Sequence, residues 1–397
     1  MKRALGLTLL LGVFMAAVPA RAEVGLTEKK ILIGTSNSLT GPIAFGGTQQ
    51  LVGVEAYLKH VNAQGGVNGR LIEWKWYDDA YKPQDAVANI KRLVEQDGVF
   101  AIINTMGTAT SKAVVPYLEE KKVPDLFPAQ GDPGLSGKKY VFTSEPFWDL
   151  QTRIICRWLV EKKGLKRIGI VYQDDAYGIP FYELLKEELK ALNLELAAGE
   201  SIRRGASDAT VQVAKMSAAN LDACLLALTP GQGSQVLKEA AKAGWKHTKF
   251  IGTSPLTDET FLSLAGAEGE GVWGFTPWPE PRYSKLPAMQ KYREILAKYE
   301  PKAVPNRFNI YGYFYAMLAV EGMKRAGRDL TREGLIKAME SIKDWESGIV
   351  PPISFSPADH HALSTGMMVE GRSGRFMPIS GWLAMKGGKL AESRLDE

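Results

Sequence analysis

The sequence predicts an α/β protein built as two doubly wound lobes. Two observations carry this. Short apolar strands alternate with amphipathic helices along almost the whole chain, a pattern that calls for mainly parallel sheets with helices on both faces. The length of 397 residues, with 45% hydrophobic and 9% aromatic, exceeds one compact core and suits two. Right-handed crossovers then wind the sheets doubly, and ligands of such sheets sit beyond the carboxyl ends of the strands.

The elements follow in order. Lys30-Ile31-Leu32-Ile33-Gly34 is a short apolar strand. From about 47 to 63, Leu51, Val54, Leu58 and Val61 recur at helical spacing, and Gly65-Gly66 stops the helix. Residues 71–77 alternate as a strand, Ala86, Ile90 and Leu93 mark a helix over 83–96, and 99–103 is a strand. Further strands are expected near 125–127, 140–143, 167–172, 194–202, 223–227, 250–253 and 271–275. Helices are expected near 109–121, 149–163, 181–191, 209–218, 234–243, 258–264, 286–299, 308–326 and 331–341. Pro116 removes one donor from the third helix and is expected to kink or shorten it. From Pro351 onward short strands near 366–370, 377–379 and 381–385 suggest an irregular cap or a return crossover.

The first 22 residues read as a secretory signal. Met1-Lys2-Arg3 is the positive start, residues 4–18 are uncharged and apolar, and Ala20-Arg21-Ala22 is the cleavage site, so the mature chain is expected to begin at Glu23 in the periplasm. The apolar run is short for a membrane span of roughly 20 residues. Removing Lys2, Arg3 and Arg21 lowers the net charge from +5 to +2, too little to argue for nucleic acid. Cys156 and Cys224 are expected in one lobe; in an oxidising compartment they are either a disulfide or two buried thiols.

Catalytic and cofactor motifs are missing. The four histidines form no HExxH, no G-x-x-x-x-G-K-[ST] occurs, Gly231-Gln232-Gly233 lacks a third glycine, and there is no G-x-S-x-G elbow. The expectation is a non-enzymatic protein with no cofactor and no metal.

Several stretches carry a resemblance. Leu39-Thr40-Gly41-Pro42 follows the first strand, Val61-Asn62-Ala63-Gln64-Gly65-Gly66-Val67-Asn68-Gly69-Arg70 closes the first helix, Asp78-Asp79 ends the second strand, and Pro83-Gln84-Asp85-Ala86-Val87 opens the next helix. Together they resemble the leucine/isoleucine/valine-binding family of periplasmic proteins, the type I solute-binding fold of ABC importers. The resemblance implies two lobes joined by three crossover strands, with a small ligand enclosed by hinge closure. It places 23–146 with 279–350 in one lobe, and 147–278 with 351–397 in the other lobe and return crossover. It also implies a permease in the inner membrane as partner, and a monomer.

Candidate ligand contacts follow. Thr108-Ala109-Thr110 open a helix, where hydroxyls and free N–H groups favour an anion or serve as caps; the resemblance implies a ligand carboxylate there. It likewise implies contact from Ala129 and Gly131, and from Tyr177 in the second lobe. Amino-acid binders of the family hold the ligand's ammonium with acids at positions that fall here on Phe147 and Ser254, neither of them charged. With Phe45, Phe147, Trp148, Trp273 and Trp278 nearby, the expected ligand is an apolar or aromatic carboxylate. Glu145, Asp149, Asp174 and Asp175 are the neighbouring acids through which a hydrophobic amino acid would be held instead. A periplasmic sensor of the same fold is the other alternative.

Overall fold

The computed structural model describes residues 23–393; the expected signal segment, 1–22, lies outside the described residues. In chain order the first part contributes β1 (Lys30–Asn37), α1 (Ala44–Asn62), β2 (Leu71–Asp78), α2 (Pro83–Arg92), β3 (Ala101–Ile103), α3 (Thr108–Lys121), β4 (Asp125–Leu126) and β5 (Val141–Phe142). These strands form one parallel sheet ordered β2-β1-β3-β4-β5. Pro116 leaves α3 unbroken through Lys121.

The chain then builds α4 (Trp148–Arg157), β6 (Ile168–Asp174), α5 (Gly178–Ala191), β7 (Ala198–Arg203), α6 (Thr210–Ser217), β8 (Ala223–Ala227), α7 (Pro230–Lys242), β9 (Lys249–Gly252), α8 (Glu259–Ala265) and β10 (Trp273–Thr276). Three helices follow: α9 (Pro287–Tyr299), α10 (Arg307–Ala326) and α11 (Arg332–Glu340). They return to the first sheet, packing Tyr292, Phe314 and Leu335 against Ile31, Ile33 and Ile103. The approach of α1 to α10 depends on glycine: a Cβ on Gly53 would stand 1.9 Å from the Asn309 carbonyl oxygen, and one on Gly312 1.9 Å from that of Gln50.

The tail is more regular than its sequence suggests. It forms β11 (Thr365–Arg372), β12 (Arg375–Pro378), β13 (Trp382–Lys386) and the unanticipated β14 (Lys389–Ser393). β11 pairs antiparallel with β10, extending the second sheet to nine strands. The chain thus passes three times between the sheets, over 143–147, 277–286 and 341–364. The first and last passages run side by side: the Thr143 N–H donates to the His360 carbonyl and the Ala362 N–H to that of Thr143, both at 2.9 Å.

Both cysteines are free thiols. Strand alternation explains it. Ala223, Leu225 and Ala227 of β8 face the same cluster as Cys156 on α4, whereas Cys224 points to the opposite side of the sheet with Leu226.

Candidate functional site

A cavity of ≈ 220 Å³ opens between the two sheets, at the carboxyl ends of the parallel strands of both. The aspartate pair that ends β2 shapes its first wall. Asp78 accepts from the Leu39 N–H (2.8 Å) and the Thr40 hydroxyl (2.6 Å), tying down the loop before α1. Asp79 accepts from the Ser36 hydroxyl (2.9 Å), the Ser38 hydroxyl (2.7 Å) and the Tyr81 N–H (2.9 Å). Pro42, Phe45 and Tyr81 are thereby held on the rim.

The N-terminus of α3 faces the same space through Gly107 and Thr108, and no side chain caps it. Its first-turn N–H groups have no partner within the helix and carry the positive end of the helix dipole, so they suit a carboxylate. The Gln130 amide adds a donor: its oxygen accepts from the Asp132 N–H at 2.5 Å, and its nitrogen is buried without a partner.

Across the cavity stands Glu145, in the first passage between the sheets. The hydroxyls of Ser254 and Tyr311 hydrogen-bond each other, and that of Tyr311 donates to Glu145 Oε1 at 3.2 Å. Burial raises the Glu145 carboxyl to about 7, although the hydroxyls of Ser254 and Tyr311 and the Gln151 amide favour the anion. Gln151 donates to the Pro146 carbonyl at 2.7 Å, and its own oxygen, like that of Gln50, is buried and unpartnered. This wall therefore presents acceptors, and the wall at α3 presents donors.

The second sheet supplies aromatic and aliphatic surface. Trp148 meets Tyr177 edge to face at 5.5 Å, and the Tyr177 hydroxyl hydrogen-bonds with that of Thr253 at 2.7 Å. Gly131 lets the indole close in, since a Cβ there would stand 2.6 Å from Trp148 Nε1. Leu228, Pro230, Pro255 and Leu264 complete this side, and Phe308 lies opposite. Phe45 and Leu264 are each 43% exposed, which makes the rim apolar.

Of the sequence candidates, Phe45, Thr108, Ala129, Gly131, Trp148 and Tyr177 line the cavity. The other six residues named from the sequence do not line it. The Thr110 hydroxyl turns back onto the carbonyls of Met106 and Gly107, and Ala109 beside it lies off the cavity. The Phe147 ring stacks on His361 at 3.8 Å, because the two passages run adjacent there. Ser254 lies one shell back, behind Tyr311. Trp273 packs on Trp158 at 4.9 Å and donates to Glu370 at 3.0 Å, at the amino end of β10 and away from the carboxyl ends that border the cavity. Trp278 is wholly buried behind Tyr311.

The uncharged residues at 147 and 254 do not leave the cleft without an acid, because Glu145 occupies its wall. A lone carboxylate within the uncharged run 140–148 was the available signal. Gln50, Gln151, Tyr311 and Phe308 gave none, since they read as ordinary positions on helical faces. Among the described residues no group of three or more His, Cys, Asp or Glu stands ready for a metal ion, and no helix is long and apolar enough to cross a membrane.

The periplasmic binding protein family model matches residues 30–375. The chain belongs to that family. A Leu/Ile/Val-binding protein of Citrobacter freundii is 28% identical over 66% of this chain and 70% of its own. Among solved structures, a possible leucine/isoleucine/valine-binding protein from Rhodopirellula baltica superposes with TM-score 0.84 at 21% identity, over 89% of this chain and 97% of that one. A fatty acid ABC transporter substrate-binding protein from Thermomonospora curvata reaches 0.81 at 27% identity, over 90% and 93%. The family fold is thus two α/β lobes, and the cavity lies where they meet.

Proposed function

We propose that this protein is the periplasmic substrate-binding component of an ABC importer, without turnover of its own, and that its cleft takes a hydrophobic α-amino acid as the zwitterion. The observation that carries the ligand class is Glu145: a buried carboxylate on the cavity wall with no cation against it among the described residues. Such a group is costly unless a positive charge meets it. A ligand ammonium supplies that charge, with three donors for Glu145 and the free Gln151 and Gln50 oxygens. Its carboxylate goes to the N-terminus of α3 and Gln130, and its side chain to Trp148, Tyr177 and the apolar rim. The Leu/Ile/Val-binding relatives support this class.

A second reading, an apolar or aromatic carboxylate without an amine, has one observation in its favour. With its carboxyl raised to about 7, Glu145 is part-protonated at neutral pH and does not require a cation. The fatty-acid-binding neighbour supports it.

Thermal melts of the refolded, ligand-stripped protein separate the two. Leucine, isoleucine, valine and phenylalanine are compared with 4-methylpentanoate, 3-phenylpropanoate, benzoate and octanoate. A ligand at about 100 times its dissociation constant stabilises by roughly 2.7 kcal/mol. Shifts with amino acids that their deaminated analogues do not produce are expected; shifts with the acids alone would overturn the zwitterion.

A further inference from the structure

One buried ionic cluster outside the cavity joins the two halves of the molecule. Arg307 opens α10, whose Ile310 and Phe314 belong to the core of the first sheet. Glu259 opens α8, whose Phe261 and Leu262 belong to the core of the second. Arg307 Nη1 lies 2.8 Å from Glu259 Oε1, with the side chains only 2% and 4% exposed. Nη2 donates to the Phe376 carbonyl on β12 at 3.4 Å.

Asp258 completes the cluster. Its Oδ1 accepts from the Thr260 N–H at 2.8 Å and its Oδ2 from the Arg307 N–H at 3.0 Å. One carboxylate therefore caps two helices, one from each half, with both positive helix ends turned toward it. The next residue on each helix, Thr260 and Phe308, lines the cavity. The cluster thus stands one residue behind the ligand space without entering it.

We propose that Asp258, Glu259 and Arg307 form a clasp that joins the two halves over the closed cleft and sets ligand affinity without touching the ligand. The physics suits such a part. Desolvation opposes burying the pair, close hydrogen-bonded contact favours it, and parting returns the ions to water. The joint is therefore strong in geometry and modest in net energy, as a reversible closure needs. Its effect on affinity rests on the binding role proposed above, whereas its effect on closure does not.

The test measures closure directly. Spin labels placed through Q84C on α2 and K238C on α7 report the distance between the halves by electron–electron resonance, since native Cys156 and Cys224 are buried. The wild type, alone and with each amino acid and acid named above, should give a short-distance population that grows with any ligand that binds. R307M should add a longer population and, where leucine binds, weaken it about tenfold, in proportion to the lost competent fraction. R307K should restore part of both. Should R307M fail to fold, D258N keeps the ion pair, loses the charged cap, and is read the same way. A distance distribution that these variants leave unchanged, or a wild type with no short-distance population under any of these conditions, overturns the clasp. If leucine binds no form, the proposed ligand falls while the distances still decide the clasp.

Discussion

Two glutamates are buried beside the cleft, and they differ in what faces them. Glu259 meets the Arg307 guanidinium at 2.8 Å, outside the cavity. Glu145 meets hydroxyls and an amide inside it, and no cation among the described residues. Both carboxyls are raised by burial. A buried charge matched within the chain is a joint; one left unmatched on a cavity wall is a site for something from outside.

The largest effect that sharpens this contrast is on stability. R307M leaves Glu259 without its cation and should cost up to about 3 kcal/mol in urea unfolding, the lower end of the scale for breaking a buried pair, because parting of the halves returns the carboxylate to water. E145Q should cost nothing in the ligand-free protein, because it removes a charge that had no partner. Equal losses in the two would erase the distinction.

The pH dependence is the next lever. The folded Glu145 titrates at about 7 against an ordinary 4.5, so its contribution to stability is full below 4.5 and is lost as pH rises through 7. Melting temperatures of E145Q should therefore gain on wild type as pH climbs from 4.5 to 8. His361 acts in the opposite sense: burial lowers it from 6.5 to about 4, so its contribution is present above 6.5 and is lost as pH falls toward 4. Its ring is neutral, accepting from Thr143 and donating to the Leu363 carbonyl. E145Q should leave that acid-side loss in place.

Smaller effects mark the edges of the site. Y177F removes the hydroxyl shared with Thr253 and should weaken ligand binding by about 1 kcal/mol in calorimetry. W273F, at the amino end of its strand, should leave affinity unchanged within about 0.5 kcal/mol. A clear loss there would put Trp273 back among the cavity residues.

The fold was legible because its strands are short apolar runs closed by turn residues, and because its helices repeat their buried face every three or four positions. Leu51, Val54, Leu58 and Val61 are an example, all buried. Two cavity-lining positions were legible, Thr108 from its place at a helix start and Gly131 through the family resemblance. The chemistry of the far wall was not. Glu145 lies in an irregular passage with no period to orient it, and Tyr311 lies on a helix buried nearly all round. Trp273 misled for a different reason: it opens β10, and the cavity lies beyond the carboxyl ends of the parallel strands.

The most direct test of the account is a calorimetric cycle of two ligands, leucine and 4-methylpentanoate, on wild type and E145Q at pH 8. If Glu145 receives an ammonium, E145Q should lose about 2–5 kcal/mol of leucine affinity, the scale for truncating one partner of a buried charge pair. The same substitution should leave 4-methylpentanoate unweakened or tighter. Equal changes for both ligands, or tight 4-methylpentanoate binding to wild type with none for leucine, would contradict it.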